Sequence, residues 1–93
     1  MLTYRFDPTV VHIQETLNER DVEFEIRVLK EEALVDELKQ VRDWFEANEV
    51  HTDVLFYAYP GHTYKAIVRR DYYAAFVLEL MKRKLLKSVE WTT

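Results

Sequence analysis

Residues Asp53 to Arg70 read Asp-Val-Leu-Phe-Tyr-Ala-Tyr-Pro-Gly-His-Thr-Tyr-Lys-Ala-Ile-Val-Arg-Arg and are predicted to form a β-hairpin. Two runs rich in β-branched and aromatic residues flank a Pro-Gly pair, the pattern typical of strand, turn and strand. This stretch holds the strongest strand-forming run of the sequence and its only glycine, Gly61. Because helical patterns precede and follow it, we predict that the hairpin lies in the middle of a sheet.

Both flanking segments have the apolar spacing of helices. Between Glu31 and Glu49 one narrow apolar stripe consists of Leu34, Leu38, Val41 and Phe45. Asp71 is predicted to cap the next helix, Tyr72 to about Lys84, whose apolar arc is about twice as wide as that of a one-sided surface helix. Such an arc indicates a helix that is sandwiched between two elements or covered by another subunit. We therefore expect a homodimer contact formed by Tyr73, Val77, Leu78, Met81 and Leu85.

The N-terminal half is predicted to contain a strand, a helix and a second strand. Leu2 to Phe6 alternates apolar and polar residues, which favours a strand. Asp7-Pro8 has the residues of a helix start, and we predict a helix over Thr9 to Leu17 with Val10, Ile13 and Leu17 on one face. Val11, Ile13 and Leu17 would also suit one face of a strand. Val22 to Leu29 alternates strictly, which predicts a strand with one buried face and one wet face.

These elements predict a single α+β domain over residues 1–93. The predicted order is βαβαββα, with Ser88 to Trp91 as a candidate last strand. We expect a two-layer sandwich in which two or three helices cover a mixed sheet of four to five strands. From Val22 onward the order is βαββαβ, that of the ferredoxin-like sandwich, and the wet face of Val22 to Leu29 favours this fold over a thioredoxin-like one.

The alternative fold has a short sequence likeness. Ile13 to Glu25 resembles the first helix and second strand of a glutaredoxin, a family with the thioredoxin-like fold. No cysteine stands at Asp7 to Val10, where the redox pair of that family would lie. Thr52-Asp53-Val54 also lacks the proline that such proteins have before their third strand. The resemblance therefore does not imply redox activity.

Composition excludes several classes of chemistry. The chain has no cysteine, which excludes disulfides, thiolate zinc sites and thiol catalysis. One glycine and one serine leave no dinucleotide motif, no P-loop and no serine-hydrolase elbow. The longest apolar-rich segment, Tyr72 to Met81, is about half the length of a membrane helix. We expect a cytoplasmic protein with no catalytic residue, no cofactor and no metal site.

Charge is unevenly distributed along the chain. Residues 1–53 carry a net charge of −8 and residues 54–93 a net charge of +4, which together give −4. This asymmetry predicts acidic and basic elements that adjoin within the fold or across a dimer contact. The alternative is a basic face that meets an acidic partner.

Basic and aromatic residues cluster in the second half of the chain. The candidate polyanion-binding residues are Tyr57, Tyr59, Tyr64, Lys65, Arg69, Arg70, Lys82, Arg83, Lys84 and Lys87. Tyrosines beside cations on an open sheet are typical of proteins that hold single-stranded RNA. The favoured hypothesis is nevertheless a non-catalytic protein–protein interaction or regulatory module that self-associates, with RNA or polyanion binding as the alternative.

Overall fold

A computed structural model of the protein describes residues 2–30, 33–47 and 54–92. Within these residues the chain forms six strands and two α-helices, which confirms the α+β class. In chain order they are β1 (Leu2–Arg5), β2 (Val11–Leu17), β3 (Asp21–Val28), α1 (Ala33–Glu46), β4 (Val54–Tyr59), β5 (Thr63–Arg69), α2 (Tyr73–Lys82) and β6 (Ser88–Trp91). A short 3₁₀ helix, Arg70–Tyr72, leads into α2.

The strands form two antiparallel sheets. The main sheet has the order β2-β3-β5-β4, and β1 pairs with β6 in a separate two-stranded ribbon. Every described strand pair is antiparallel, so the predicted mixed sheet is wrong. The strand after α2, which a ferredoxin-like order would add to the main sheet, instead pairs with β1. The main sheet and its helices are therefore built from two consecutive ββα units, β2-β3-α1 and β4-β5-α2.

The predicted first helix is wrong, because Val11–Leu17 is strand β2. The Asp7 carboxylate accepts hydrogen bonds from the backbone N–H and the hydroxyl of Thr9, at 2.9 and 2.6 Å, so that Asp7 closes a turn instead of capping a helix. β2 then pairs along its whole length with β3. The β-branched residues of β2 suit this pairing, and Ile13 to Glu25 consequently bears no structural likeness to a glutaredoxin helix and strand.

Helix α1 buries the predicted stripe. Leu34, Leu38, Val41 and Phe45 are all buried, and Val35 joins them. The ends predicted for this helix, at Glu31 and Glu49, lie outside the described residues. Because the stripe covers one side of the helix, α1 packs on one face of the main sheet and leaves its charged side in solvent.

Helix α2 lies against several elements at once. It contacts β5, α1 and β6, which explains its wide apolar arc. Phe76 sits at the centre of these contacts, with its ring centroid 4.7 Å from that of Phe24 on β3 and 5.8 Å from that of Phe45 on α1. Asp71 does not cap the helix; it lies in the 3₁₀ helix, and the N-cap residue Tyr72 makes no side-chain capping bond.

Both helices cover the same face of the main sheet and leave the other face open. On β3, Val22, Phe24, Ile26 and Val28 are buried toward the helices, and Glu25 and Arg27 are exposed on the other side. The predicted wet face of this strand is confirmed. Neither described helix is long and apolar enough to cross a membrane.

Candidate interaction surface

The register of β4 and β5 decides which side chains occupy the open face. Leu55 lies opposite Ile67, Tyr57 opposite Lys65, and Tyr59 opposite Thr63. Phe56, between them, points the other way and contacts the ring of Phe76 at 5.7 Å between centroids. The alternation of a β-strand therefore places every second residue of β4 on the open face.

Three of the open-face residues of β4 and one residue of β5 form an apolar stripe along one side of the open face. The apolar stripe consists of Leu55, Tyr57, Tyr59 and Ile67. Leu55, Tyr57 and Tyr59 are 43, 46 and 48 % exposed, and Ile67 is partly buried. Scattered single apolar side chains are normal on a protein surface, but large ones that adjoin indicate a contact surface.

The apolar stripe borders the free edge of the main sheet. β4 is the last strand of the order β2-β3-β5-β4, and no described residue pairs with its outer side. Its sequence, Val-Leu-Phe-Tyr-Ala-Tyr, contains no charged residue and no proline. Natural edge strands are usually protected by lysine, proline or bulges against pairing with other chains. β4 has none of these protections, whereas the opposite edge, β2, carries His12, Gln14 and Glu15.

The remainder of the open face is electrically balanced. The strand register places three carboxylates and three cations there: Asp21, Glu23, Glu25, Arg27, Lys65 and Arg69. Asp21 lies opposite Arg69, and Glu25 lies opposite Lys65. The Lys65 ammonium also lies 3.6 Å from the Glu23 carboxylate. The face therefore has a net charge of zero and does not attract a polyanion electrostatically.

The acidic and basic parts of the chain adjoin within the fold, as the charge asymmetry predicted. Arg83 lies 3.8 Å from Glu37, and Lys87 lies 4.0 Å from Asp7. Each of these pairs, like Lys65 with Glu23, joins a basic residue of the second half to an acidic residue of the first half. The asymmetry along the sequence thus becomes a set of short-range pairs in the folded chain.

The predicted polyanion-binding residues of the hairpin do not form one surface. Tyr57, Tyr59 and Lys65 reach the open face, and Arg69 lies there beside Asp21. Tyr64 is buried toward the helices. The Arg70 guanidinium, in the 3₁₀ helix that follows β5, donates a hydrogen bond of 2.6 Å to the carbonyl oxygen of Asn18.

The predicted polyanion-binding residues of the last helix lie in the other layer of the sandwich. Lys82 and Lys84 are exposed there, and Lys84 adopts a left-handed backbone with φ of +67° at the end of α2. Arg83 is only partly exposed and connects the two helices, since it donates a hydrogen bond of 2.6 Å to the Gln40 side chain. The structure therefore does not bring these cations together with the tyrosines of the hairpin.

The predicted dimer residues of α2 divide into two groups. Tyr73, Val77 and Leu85 are buried in the core of the same chain. Leu78 and Met81 are 50 and 38 % exposed on the outer side of the helix. The chain itself thus covers most of the wide apolar arc, so the helix is sandwiched between other elements of the same chain, the first of the two explanations that the sequence indicated.

A partly buried polar cluster near the N-terminus was missed by sequence reasoning. The Tyr4 hydroxyl donates a hydrogen bond to Glu15 Oε2, and the Tyr73 hydroxyl donates a second one to the same oxygen at 3.1 Å. These bonds connect β1, β2 and α2, so they tie the two-stranded ribbon to the main sheet. The three residues are far apart in sequence, and Glu15 was assigned to a helix, so no local pattern could indicate the cluster.

This cluster predicts that the protein loses stability in alkaline solution. Burial, the hydrogen bond to Glu15 and the negative charge of Glu15 raise the pKa of Tyr4 above its usual value of about 10. Burial and the same carboxylate raise the pKa of Tyr73. Because only the unfolded chain releases these protons near pH 10, the stabilisation is complete below that pH and is lost as pH rises above it.

Urea denaturation between pH 8 and pH 11.5 measures this effect. We expect the free energy of unfolding to fall above pH 10 in the natural chain. The fall should be less steep in a variant with Tyr4→Phe and Tyr73→Phe, and also in Glu15→Gln, which removes the charge but keeps an acceptor. Equal slopes in the natural chain and the double variant would contradict this account.

An apolar cavity lies beside this cluster. It has a volume of about 270 Å³ and is lined by Leu17, Val22, Arg70, Asp71, Tyr73 and Ala74. Its charged residues, Arg70 and Asp71, are exposed. No group of three or more metal-ligating side chains occurs within the described ranges. Tyr73 is the buried titratable residue of this lining.

Comparisons with known proteins give no information about this surface. No protein-family model matches the chain, and searches of curated proteins and of solved structures find no match.

Proposed function

We propose that this chain is a small non-catalytic protein-interaction module that self-associates. The observation that carries the proposal is the apolar stripe at the uncharged free edge strand β4. It combines three large exposed side chains with backbone groups that no described residue pairs. Burying such a surface against another protein is favourable by roughly 25 cal/mol for each Å² of apolar area removed from water.

Polyanion binding is supported less well. The open face carries three cations and three carboxylates, and the cations of α2 lie in the other layer. RNA-binding sheets combine stacking tyrosines with an excess of positive charge. Tyr57 and Tyr59 provide the first feature, but the balanced charges around them do not provide the second.

The mass of the protein in solution tests self-association. Light scattering on the eluting peak should give twice the chain mass of 11.3 kDa at high micromolar concentration. The mass should change little between low and high salt, because an apolar contact is not screened by ions. A mass of 11.3 kDa at every concentration would contradict the proposed function.

A further inference from the structure

Strand β4 offers a specific way for two copies to associate. We propose that β4 of one chain pairs antiparallel with β4 of a second copy, which joins the two main sheets into one sheet of eight strands. This inference rests on the proposed function and adds the partner and the contact. It follows from the unpaired outer side of β4, because an exposed edge of backbone N–H and C=O groups is a template for a further strand.

A second copy fits this edge better than a strand of other composition. Two identical strands meet around a two-fold axis, where each residue faces itself or a residue at the mirrored position. Charges on β4 would then repel their own copies, but the strand has none. On the opposite edge, a pair of β2 strands would bring Glu15 or His12 near its copy. Self-pairing therefore meets no electrostatic resistance at β4.

The two-fold axis passes through Tyr57. The side chains of two residues that lie directly opposite each other on antiparallel strands point to the same side of the sheet. Residues of the open face must therefore lie opposite residues of the open face. With Tyr57 opposite its own copy, Leu55 of one chain faces Tyr59 of the other, and Tyr59 faces Leu55. All three large exposed side chains of β4 then meet one another, and the two apolar stripes become one continuous surface.

This arrangement also suits the rest of the fold. The axis is perpendicular to the sheet, so the helices of both copies lie on the same side and the open faces form one larger face. The combined order is β2-β3-β5-β4 followed by its mirrored copy, and only the polar β2 strands remain as edges. Pairing β4 with β4 thus removes the one unprotected edge of the main sheet.

The exposed residues of α2 provide the competing contact. Leu78 and Met81 are the exposed remainder of the helix surface that the sequence predicted as the dimer contact. They offer side chains alone, whereas β4 offers side chains together with unpaired backbone groups. A dimer formed through α2 would leave the proposed function intact and would overturn the strand pairing.

Because the chain has no cysteine, single introduced cysteines report which positions meet. Facing residues of an antiparallel pair have Cα atoms about 4.5 to 5.5 Å apart, within the range of a disulfide.

Tyr57→Cys should therefore form a covalent dimer in most of the sample under mild oxidation. Leu55→Cys alone should not, because its copy lies about 13 Å away along the strand. A refolded mixture of Leu55→Cys and Tyr59→Cys should again form the covalent dimer. Leu17→Cys, exposed at the end of β2, is the control for random collisions.

The outcomes separate the two proposals. If the natural chain has the mass of a dimer but neither Tyr57→Cys nor the mixture links more than Leu17→Cys, the strand pairing is wrong and the proposed function stands. If Leu55→Cys linked to Tyr57→Cys in a refolded mixture, while Tyr57→Cys did not link to itself, the two-fold axis would not pass through Tyr57. If the natural chain has the mass of a monomer, the proposed function itself fails.

Discussion

Replacing Phe76 with alanine is expected to lower the free energy of unfolding by about 3 to 5 kcal/mol. Phe76 is completely buried on α2, and its ring contacts Phe24, Phe45 and Phe56. Those residues belong to β3, α1 and β4, so one side chain connects both ββα units. Truncation removes the buried ring and leaves a cavity that the surrounding aromatic rings cannot fill without moving.

Urea denaturation followed by circular dichroism measures this loss. Leu78→Ala is the matched control, because Leu78 lies on the same helix but is half exposed, and the change should stay within about 0.5 kcal/mol. Phe76→Leu should lie between the two, since it keeps most of the apolar volume and loses the aromatic contacts. If Phe76→Ala were no more destabilising than Leu78→Ala, α2 would not pack as described.

Replacing Arg83 with alanine is expected to cost about 2 to 3 kcal/mol, somewhat less than the roughly 3 to 5 kcal/mol for breaking a fully buried ion pair, because the Arg83 side chain is partly exposed. Glu79 is a buried charged residue, and its Oε2 lies 3.8 Å from Arg83 Nε. Neither atom has a hydrogen-bond partner among the described residues, so each depends on the charge of the other. Removing Arg83 leaves the carboxylate poorly compensated, although Lys82 remains 3.8 Å from its other oxygen.

Two further variants separate the lost charge from lost packing. Lys82→Ala removes a neighbouring cation that is 65 % exposed and should change stability by less than about 1 kcal/mol. Adding Glu79→Met to Arg83→Ala should recover most of the loss, because an apolar side chain of similar size replaces the uncompensated carboxylate. An Arg83→Ala variant as stable as Lys82→Ala, in the same denaturation assay, would contradict this role of Arg83.

The sequence predicted most elements, and the one large error has a clear cause. The alternation of Val22 to Leu29, the apolar stripe of α1 and the strand, turn and strand around Gly61 each follow from a local pattern, and the structure contains all three. Residues 9–17 are ambiguous by pattern, since Val10, Ile13 and Leu17 fit helical spacing and Val11, Ile13 and Leu17 fit one face of a strand. Pairing with β3 decides between them, and the sequence does not reveal which strand will be the partner.

Local sequence patterns also could not predict the order of the strands in the main sheet. The hairpin was expected in the middle of the sheet, but only β5 is interior and β4 lies at the edge. Tyr57 and Tyr59 were recognised only as candidate polyanion-binding residues, because the importance of β4 as a free edge depends on which strand lies beside it. The same holds for the cations of the last helix, because only the layering shows that they lie away from the hairpin.

The ion pair of Glu79 and Arg83 was within reach of sequence reasoning. The two residues are four apart on a helix, a spacing that brings opposite charges together. Glu79 falls outside the apolar arc of α2, where charged residues are usually exposed. Its burial follows from the contact of α2 with α1, which no pattern within α2 alone could indicate.

The mass of two lysine variants tests most directly the claim that β4 is the contact between copies. Tyr57→Lys places two like charges opposite each other on the two-fold axis and adds the protection that the edge lacks, so the dissociation constant should rise at least about tenfold. Leu78→Lys makes the same kind of change on the outer side of α2. At a concentration where the natural chain has twice the mass of 11.3 kDa, we predict that Tyr57→Lys shifts toward 11.3 kDa and that Leu78→Lys does not. A dimer that survives Tyr57→Lys and dissociates with Leu78→Lys would contradict the account.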